Sequence, residues 1–265
     1  MLNRQDGRVS VEHDVVFGQG AGRDLRCDVF LPPEQGATRP GILLVHGGGW
    51  VQGDRSQLRG YGIQLARYGF VCVASEYRLS GESVWPAQIH DVKAALRWMR
   101  ANANRYGIDP ARIAVSGNSA GAHLALMLAG LSAGEMDGDG GNPGVASGVA
   151  AVVAIYPPTQ LRVTHPQDPI GLLLGGKVER EVEDGASPLA YVRPGYPPTM
   201  LVHGNADEVV PVEASFAMYH ALVTAGAACD LHVFHGEPHA FDAQPAFGRQ
   251  VADLIAQFIH RTVTT

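Results

Sequence analysis

The chain has 265 residues, of which 46% are hydrophobic and 17% charged, so it can form a sizeable core and is not intrinsically disordered. Its 20 Lys and Arg against 26 Asp and Glu give a net charge of −6, and there is no basic block. We therefore expect neither nucleic acid nor an anionic membrane as a partner. No apolar run approaches the roughly 18 to 20 residues of a membrane span.

The three cysteines, Cys27, Cys72 and Cys229, are odd in number and widely spaced. They form neither a CxxC pair nor a cluster with histidines at zinc spacing, so the sequence predicts no metal and no other cofactor. A disulfide-stapled secreted domain is excluded as well. We take the cytoplasm as the default compartment.

Strands and helices alternate along the chain after an opening hairpin. Residues 9–31 hold two alternating apolar segments separated by a Gly-rich stretch, which predicts an antiparallel pair. Strands then follow at 41–45, 70–75, 113–116, 148–156, 199–202 and 231–234, with helices at 58–67, 87–102, 120–131 and 212–224 and a closing helix around 247–259. The predicted class is α/β, with a mostly parallel sheet of eight strands and helices on both faces.

Two regions depart from this alternation within what we predict to be a single domain, 1–265. Residues 134–148 are rich in glycine and contain acidic residues, but the positions of an EF-hand loop do not match, so we expect a flexible loop. Residues 157–198 form a long Pro-rich insertion between two strands. Connections of this length are often binding loops or lids, and we expect a small lid here.

The segment 117–121 reads G-x-S-x-G between a predicted strand and an apolar helix. A sharp strand-to-helix turn forces the central residue into a strained backbone conformation, and the flanking glycines remove side chains that would clash there. The hydroxyl of Ser119 is then exposed above the sheet edge, in front of a helix N-terminus that favours developing negative charge. Ser119 is therefore the candidate nucleophile.

Three glycines follow a buried strand directly, at 47–49. Acyl transfer needs N–H donors at the developing oxyanion, each worth roughly 3 to 4 kcal/mol in the transition state. Gly48 and Gly49 can supply two donors, and Ala120, the residue after the nucleophile, a third. We interpret His46 as a structural residue that holds this loop. Trp50 has two interpretations, as a wall of the substrate pocket or as packing for the loop.

A serine nucleophile needs a general base and an orienting carboxylate, in the chain order Ser, Asp or Glu, His for this type of sheet. Asp207 follows the predicted strand 199–202 and is the candidate acid, with Glu208 and Glu213 as alternatives. The candidate base is His239, on a Pro-containing loop before the closing helix. Its rivals are His232, within the last strand, and His235, at the end of that strand.

Together these residues resemble the α/β-hydrolase superfamily. The chain is most similar to esterases with an HGGG oxyanion motif, related to hormone-sensitive lipase and to small bacterial acetyl-xylan and feruloyl-type esterases. The resemblance covers about residues 25–260 and also rests on 76–79 and 85–87. It implies a Ser119–His239–Asp207 triad and metal-free hydrolysis of carboxylic esters through an acyl-enzyme. Glu76 is expected in a structural network.

Some positions depart from the family pattern. Only 45 residues precede His46 and the predicted hairpin uses about half of them, so we expect no N-terminal helical cap, and Asn118 stands where GDSAG has an aspartate. The acid motif lacks the usual D-P-L sequence. These differences favour a small, capless esterase that acts on short acyl chains. Trp50 and Trp85 are the candidate pocket residues, and the expected partner is a small-molecule ester bound by a monomer or homodimer.

Two other functions remain open from the sequence. An arylformamidase or another amide hydrolase could use the same scaffold, although such formamidases usually have Tyr at the position of Gly49. A non-catalytic small-molecule receptor with this fold is the second, but receptors of this kind typically lose the base, and His239 is present.

Overall fold

The computed structural model describes residues 4–34 and 36–263, and the two ends of the expected 1–265 domain lie outside these ranges. The strands are β1 (Ser10–Gly20), β2 (Arg23–Leu31), β3 (Arg39–Val45), β4 (Val71–Ser75), β5 (Ile108–Asn118), β6 (Ala151–Ile155), β7 (Thr199–Gly204) and β8 (Cys229–Phe234). The helices are α1 (Arg59–Ala66), α2 (Ala87–Ala101), α3 (Ala103–Tyr106), α4 (Ala120–Gly130), α5 (Pro169–Leu174), α6 (Arg180–Gly185), α7 (Glu213–Thr224) and α8 (Pro245–Val263).

All eight strands belong to one sheet, in the order β1-β2-β4-β3-β5-β6-β7-β8. β1 pairs with β2 and β2 with β4 in antiparallel fashion, and the remaining neighbours are parallel. The predicted α/β class, the mostly parallel sheet and the N-terminal hairpin are therefore confirmed. The two strands of the hairpin are joined by Ala21 and Gly22, both at positive φ (49° and 80°), as a tight two-residue turn requires.

The central strands are apolar without interruption because both of their faces are buried. Along β3, Leu43 and Val45 belong to the core that includes residues of α2 and α4. Ile42 and Leu44 point the other way, into the core shared with α1 and α8. Since successive side chains of a strand alternate between faces, a strand covered on both sides needs an apolar residue at every position.

β5 is longer than the sequence pattern indicated, because residues 109–112 near its start do not form an apolar run. The predicted strand covered 113–116, whereas β5 begins at Ile108, which pairs with Arg39 before a register irregularity. Asp109 accepts a hydrogen bond from the amide of Ala111 at 2.9 Å. A segment with irregular pairing and few apolar residues leaves no hydrophobic periodicity for a sequence reading to find.

Glu76, at the end of β4, lies in an ion-pair network beside the hairpin. Its carboxylate accepts hydrogen bonds from Arg23 at 2.7 Å, from Arg55 at 2.9 Å and from the amide of Arg26 at 2.9 Å. Arg55 also pairs with Asp28 at 3.0 Å. These contacts join β2, β4 and the turn before α1.

An ion pair and hydrogen bonds hold the Gly-rich segment 134–148 against α2, where the sequence predicts a flexible loop. Lys93, which is 1% exposed, pairs with Asp137 at 2.5 Å. Arg97 donates to the carbonyls of Gly141 at 3.0 Å and Asp137 at 2.7 Å, and Arg100 donates to another carbonyl of the segment. Cationic side chains on one face of α2 thus bind main-chain carbonyls of this segment. The composition of the loop alone does not reveal these contacts.

The insertion 157–198 contains α5, α6 and a 3₁₀ turn at Pro188–Tyr191, and it is tied to the rest of the domain by buried hydrogen bonds. The amide of Trp85 donates to the carbonyl of Leu173 at 2.8 Å. Nε2 of His123, on α4, donates to the carbonyl of Ala186 at 2.8 Å. An opening lid would have to break such bonds.

Candidate active site

Ser119 lies at the sharp turn between β5 and α4, with φ 51° and ψ −119°. Gly117 and Gly121 make this turn possible. A Cβ on Gly117 would lie 2.4 Å from the carbonyl of Gly121, and a Cβ on Gly121 would lie 2.1 Å from the carbonyl oxygen of Val45. The amide of Ser119 donates to the carbonyl of Ile155 at 2.8 Å, which fixes the turn to the next strand.

Two hydrogen bonds connect Ser119 with the predicted base and acid. Nε2 of His239 is 3.0 Å from Oγ of Ser119, and Nδ1 of His239 is 2.6 Å from Oδ2 of Asp207. Loops after β5, β7 and β8 supply the three residues, which are far apart in the chain. The arrangement places an acceptor nitrogen at the serine hydroxyl and a carboxylate behind the imidazole, which is the geometry that general-base activation needs.

Asp207 is buried and held in one orientation. Its Oδ1 accepts hydrogen bonds from the amides of Val209 and Val210, at 2.9 Å and 2.8 Å. Nε2 of the buried His203 is 3.3 Å from Oδ2 of Asp207. Burial lowers the pKa of His203, so this imidazole is neutral beside the carboxylate.

The alternative candidates for the acid and for the base lie elsewhere. Glu208 is exposed and does not line the cleft in front of Ser119, whereas Glu213, at the start of α7, lies on the cleft wall. His232 and His235 are absent from that wall. Among the described residues, only His239 of the three histidines in this region reaches Ser119.

The glycine loop after β3 adjoins the nucleophile. A Cβ on Gly47 would lie 2.9 Å from the carbonyl oxygen of Asn118 and 3.3 Å from Cβ of Ser119. Gly48 has φ 117°, and its carbonyl accepts the amides of residues 51 and 52. The amides of Gly48, Gly49 and Ala120 make no hydrogen bond with any described residue, so they are free to bind an oxyanion.

His46 supports this loop from below. It is fully buried, its Nδ1 is 2.8 Å from the carbonyl oxygen of Gly47, and its ring stacks on Tyr77 at 4.3 Å. Tyr77 in turn donates its hydroxyl to the carbonyl of His46 at 3.0 Å. Burial lowers the pKa of His46, which agrees with a neutral, structural residue.

The two candidate pocket tryptophans differ in position. Trp50 lines the cleft but is only 3% exposed, and its ring meets His123 edge-on at 5.1 Å. Trp50 therefore has both roles that the sequence left open, as a wall of the pocket and as packing for the loop. Trp85 does not line the cleft; its ring contacts His123 edge-on at 5.7 Å. The sequence could not say which way either ring would face.

The cleft in front of Ser119 has a volume of about 1040 Å³. Part of its wall comes from the insertion 157–198, which contributes Pro158, Thr159, Gln160, Arg162, Thr164, Asp168, Pro169, Ile170 and Leu189. Other lining residues come from the glycine loop and the residues after it (47–52), from Tyr61 on α1, and from within the segments 209–217 and 239–243. A small-molecule site of this size can hold both halves of an ester.

Sequence reasoning missed a chain of four side chains that reaches the predicted base through Tyr156, namely Asn118, Tyr156, Asp242 and Tyr61. They are linked by hydrogen bonds, and all of them line the cleft. Asn118 was noticed only as a departure from a motif. Tyr156 and Tyr61 carry no motif, and Asp242 carries none beyond its closeness to His239 in the chain.

Within residues 4–34 and 36–263, no group of three His, Cys, Asp or Glu side chains is arranged to hold a metal ion. No helix in these ranges is both long enough and apolar enough to cross a membrane. The three cysteines are free thiols, with Cys27 and Cys72 buried and Cys229 partly buried.

The chain is similar to known proteins both in sequence and in three-dimensional structure. A family model described as BD-FAE matches residues 27–222. Esterase LipQ of Mycobacterium tuberculosis is 35% identical in an alignment of 262 positions that covers 93% of this chain and 61% of LipQ. Esterase LipC of the same organism is 37% identical in an alignment of 186 positions that covers 66% of this chain and 46% of LipC. The chain thus spans about half to three-fifths of the length of these relatives.

Solved esterases share the whole fold. A truncated carbohydrate esterase from gut microbiota superposes with a TM-score of 0.87 at 28% identity, and 97% of each chain is covered. Esterase Est2 of the Planctomycetes species Thermogutta terrifontis superposes with a TM-score of 0.81 at 27% identity, covering 96% of this chain and 92% of Est2. The α/β-hydrolase fold expected from the motifs is therefore confirmed.

Proposed function

Because the chain belongs to the BD-FAE family of α/β-hydrolases, we propose that it is a serine carboxylesterase, with Ser119, His239 and Asp207 as its catalytic triad. The observation that carries this proposal is the pair of hydrogen bonds from Ser119 to His239 (3.0 Å) and from His239 to Asp207 (2.6 Å). Esterases among the relatives and the superposed structures support the same reaction class.

In the proposed reaction, Nε2 of His239 takes the proton of the Ser119 hydroxyl while Oγ attacks the ester carbonyl. The tetrahedral oxyanion accepts hydrogen bonds from the amides of Gly48, Gly49 and Ala120. The imidazolium then protonates the leaving alcohol, and an acyl group remains on Oγ. A water molecule, deprotonated by the same imidazole, hydrolyses the acyl-enzyme, while Asp207 keeps the ring in its productive tautomer.

We further propose that the acyl half of the substrate is short. Pro169, at the start of α5, limits the space beside the oxyanion loop, because its Cβ lies only 3.3 Å from where a Cβ on Gly49 would be. A large volume remains elsewhere in the cleft, and the polar side chains of Gln52, Gln57 and Gln160 lie on its walls. These groups support a larger, hydroxylated alcohol half, in line with the carbohydrate esterase that shares the fold.

The first experiment compares initial rates on p-nitrophenyl esters from acetate to long chains, for the wild type and Ser119→Ala. Removing a triad nucleophile lowers turnover about a millionfold. We expect fast hydrolysis of short chains that is lost in the variant. His239→Ala should be equally inactive, whereas His235→Ala, the same change on the exposed neighbouring histidine, should behave as wild type.

A second measurement addresses the intermediate and the alternatives. Mass spectrometry after an acid quench should find one acyl group on the peptide that contains Ser119. Activity that survives Ser119→Ala would contradict the proposal. Turnover of formanilides with none of esters would indicate an amide hydrolase, and binding without turnover of either would indicate a receptor.

A further inference from the structure

A buried carboxylate with no Lys or Arg partner among the described residues lies close to the candidate base. Asp242 is 8% exposed and follows His239 by three positions. Its Oδ1 accepts the hydroxyl of Tyr156, and its Oδ2 accepts the hydroxyl of Tyr61 at 2.7 Å. Two neutral phenols give each carboxylate oxygen one hydrogen bond but leave the negative charge uncompensated.

Tyr156 connects this charge with the imidazole. Its ring is 1% exposed and packs against the ring of His239, with 4.6 Å between centroids and an interplanar angle of 57°. The backbone at Tyr156 has φ 41°, a left-handed conformation that is strained for a bulky residue. Strain of this kind persists where the surroundings hold a side chain in one place, here directly after β6 and against the base.

Asn118 sets the direction of the Tyr156 hydroxyl. Nδ2 of Asn118 donates to the phenol oxygen at 3.2 Å, so the phenol proton is directed to Asp242. An aspartate at position 118, as in the usual motif, could not donate and would compete for that proton. Burial and the neighbouring Asp242 raise the pKa of Tyr156 well above its ordinary value, which keeps the phenol protonated.

We propose that Tyr156 and Asp242 are positioning residues for His239, stabilising the imidazolium that forms when this histidine takes a proton from Ser119. The proposal rests on the proposed function, since it presumes that His239 is the base. The face of an aromatic ring attracts a cation. A phenol that donates to a carboxylate is polarised, so its ring carries more electron density towards the charge that develops on His239.

The attraction between the Tyr156 ring and His239 stabilises the transition state much more than the ground state, because the imidazole is neutral until it accepts the proton. Losing it should therefore reduce kcat and leave KM nearly unchanged. Cation–π contacts that are shielded from water change rates by about tenfold. The other titratable groups connected with this site are Asp207, 2.6 Å from His239, His203, which lies 3.3 Å from Asp207, and Tyr61, which donates to Asp242.

The test measures kcat and KM for p-nitrophenyl acetate between pH 5 and 9 in Tyr156→Phe and Asp242→Asn. We expect both variants to lose about tenfold in kcat with KM within twofold of wild type. In Asp242→Asn the acid limb of the kcat/KM profile should move to lower pH, since a charge that favours the imidazolium has been removed. The double variant should lose little more than the larger single loss.

The chain offers a matched control. Tyr68 donates its hydroxyl to Asp253 at 2.7 Å, the same pairing outside the cleft. Tyr68→Phe and Asp253→Asn should keep wild-type kcat and an unshifted acid limb.

An increase in KM alone would overturn the proposal, because it would mean that these side chains contact the substrate. A loss of kcat with an unshifted acid limb in Asp242→Asn would also overturn it, because the pair would then act only by packing. Unchanged kinetics in both variants, beside an inactive His239→Ala, would refute this inference and leave the proposed function standing. Activity in His239→Ala would refute the proposed function itself.

Discussion

Gly121→Ala is the substitution that most directly tests how the turn at Ser119 and the glycine loop 47–49 depend on each other. The added Cβ would lie 2.1 Å from the carbonyl oxygen of Val45 and 2.6 Å from that of His46. Contacts of this type are rarely closer than about 3 Å, so the start of α4 and the end of β3 must separate by about 0.9 Å. Both segments consist of backbone, which has no rotamer to change.

The separation pulls apart the two segments that carry the proposed oxyanion donors. Ala120 lies at the start of α4, and Gly48 and Gly49 follow the end of β3. A misplacement of about 1 Å lowers rates about 100-fold, similar to the loss of one oxyanion donor. Overpacking of this kind lowers the free energy of unfolding by about 1 to 3 kcal/mol, which leaves a domain of ordinary stability folded.

The assay combines thermal unfolding with steady-state kinetics on p-nitrophenyl acetate. We expect Gly121→Ala to lose about 100-fold in kcat while remaining folded at 25 °C. Gly60→Ala is the matched control, because Gly60 also lies in a helix and its Cβ would meet nothing within 4 Å. It should leave kcat unchanged and stabilise the domain by a few tenths of a kcal/mol. A fully active Gly121→Ala would refute the reasoning.

Two further predictions concern stability. Burial lowers the pKa of His123 to about 4, against 6.5 when unfolded, so the unfolded chain binds more protons between these values. The free energy of unfolding should fall by up to about 3 kcal/mol from pH 6.5 to pH 4 through this residue, and His123→Gln should flatten the curve measured in urea. Lys93→Met should speed amide hydrogen exchange across 134–148 and leave kcat unchanged, because the buried lysine holds Asp137 at 2.5 Å.

A different result would contradict each of these two predictions. An equally steep pH dependence in His123→Gln would mean that other groups dominate the acid loss of stability. For the lysine, exposed Lys177 provides the control, and Lys177→Met should leave exchange unaltered. Equal protection of 134–148 in wild type and Lys93→Met would show that the loop is held without its ion pair.

The fold and the order of the candidate site residues were accessible from the sequence because both depend on local patterns. Strands buried on both faces leave continuous apolar runs, and the turn at Ser119 requires glycines at fixed spacing. Irregular pairing and polar residues hide such signals, which is why the start of β5 at Ile108 was missed. The anchoring of 134–148 was missed for a related reason, since its carbonyls bind cations on a distant helix.

The sequence by itself determined the layer architecture, the glycine-flanked serine and the chain order of Ser119, Asp207 and His239. Only the tertiary structure decided which side chains face the imidazole and which face away, as with Tyr156 and Trp85. The physical reason is that hydrogen-bond chains and ring contacts join residues with no fixed spacing. Tyr61 and Asp242 are 181 positions apart, yet they share a hydrogen bond of 2.7 Å.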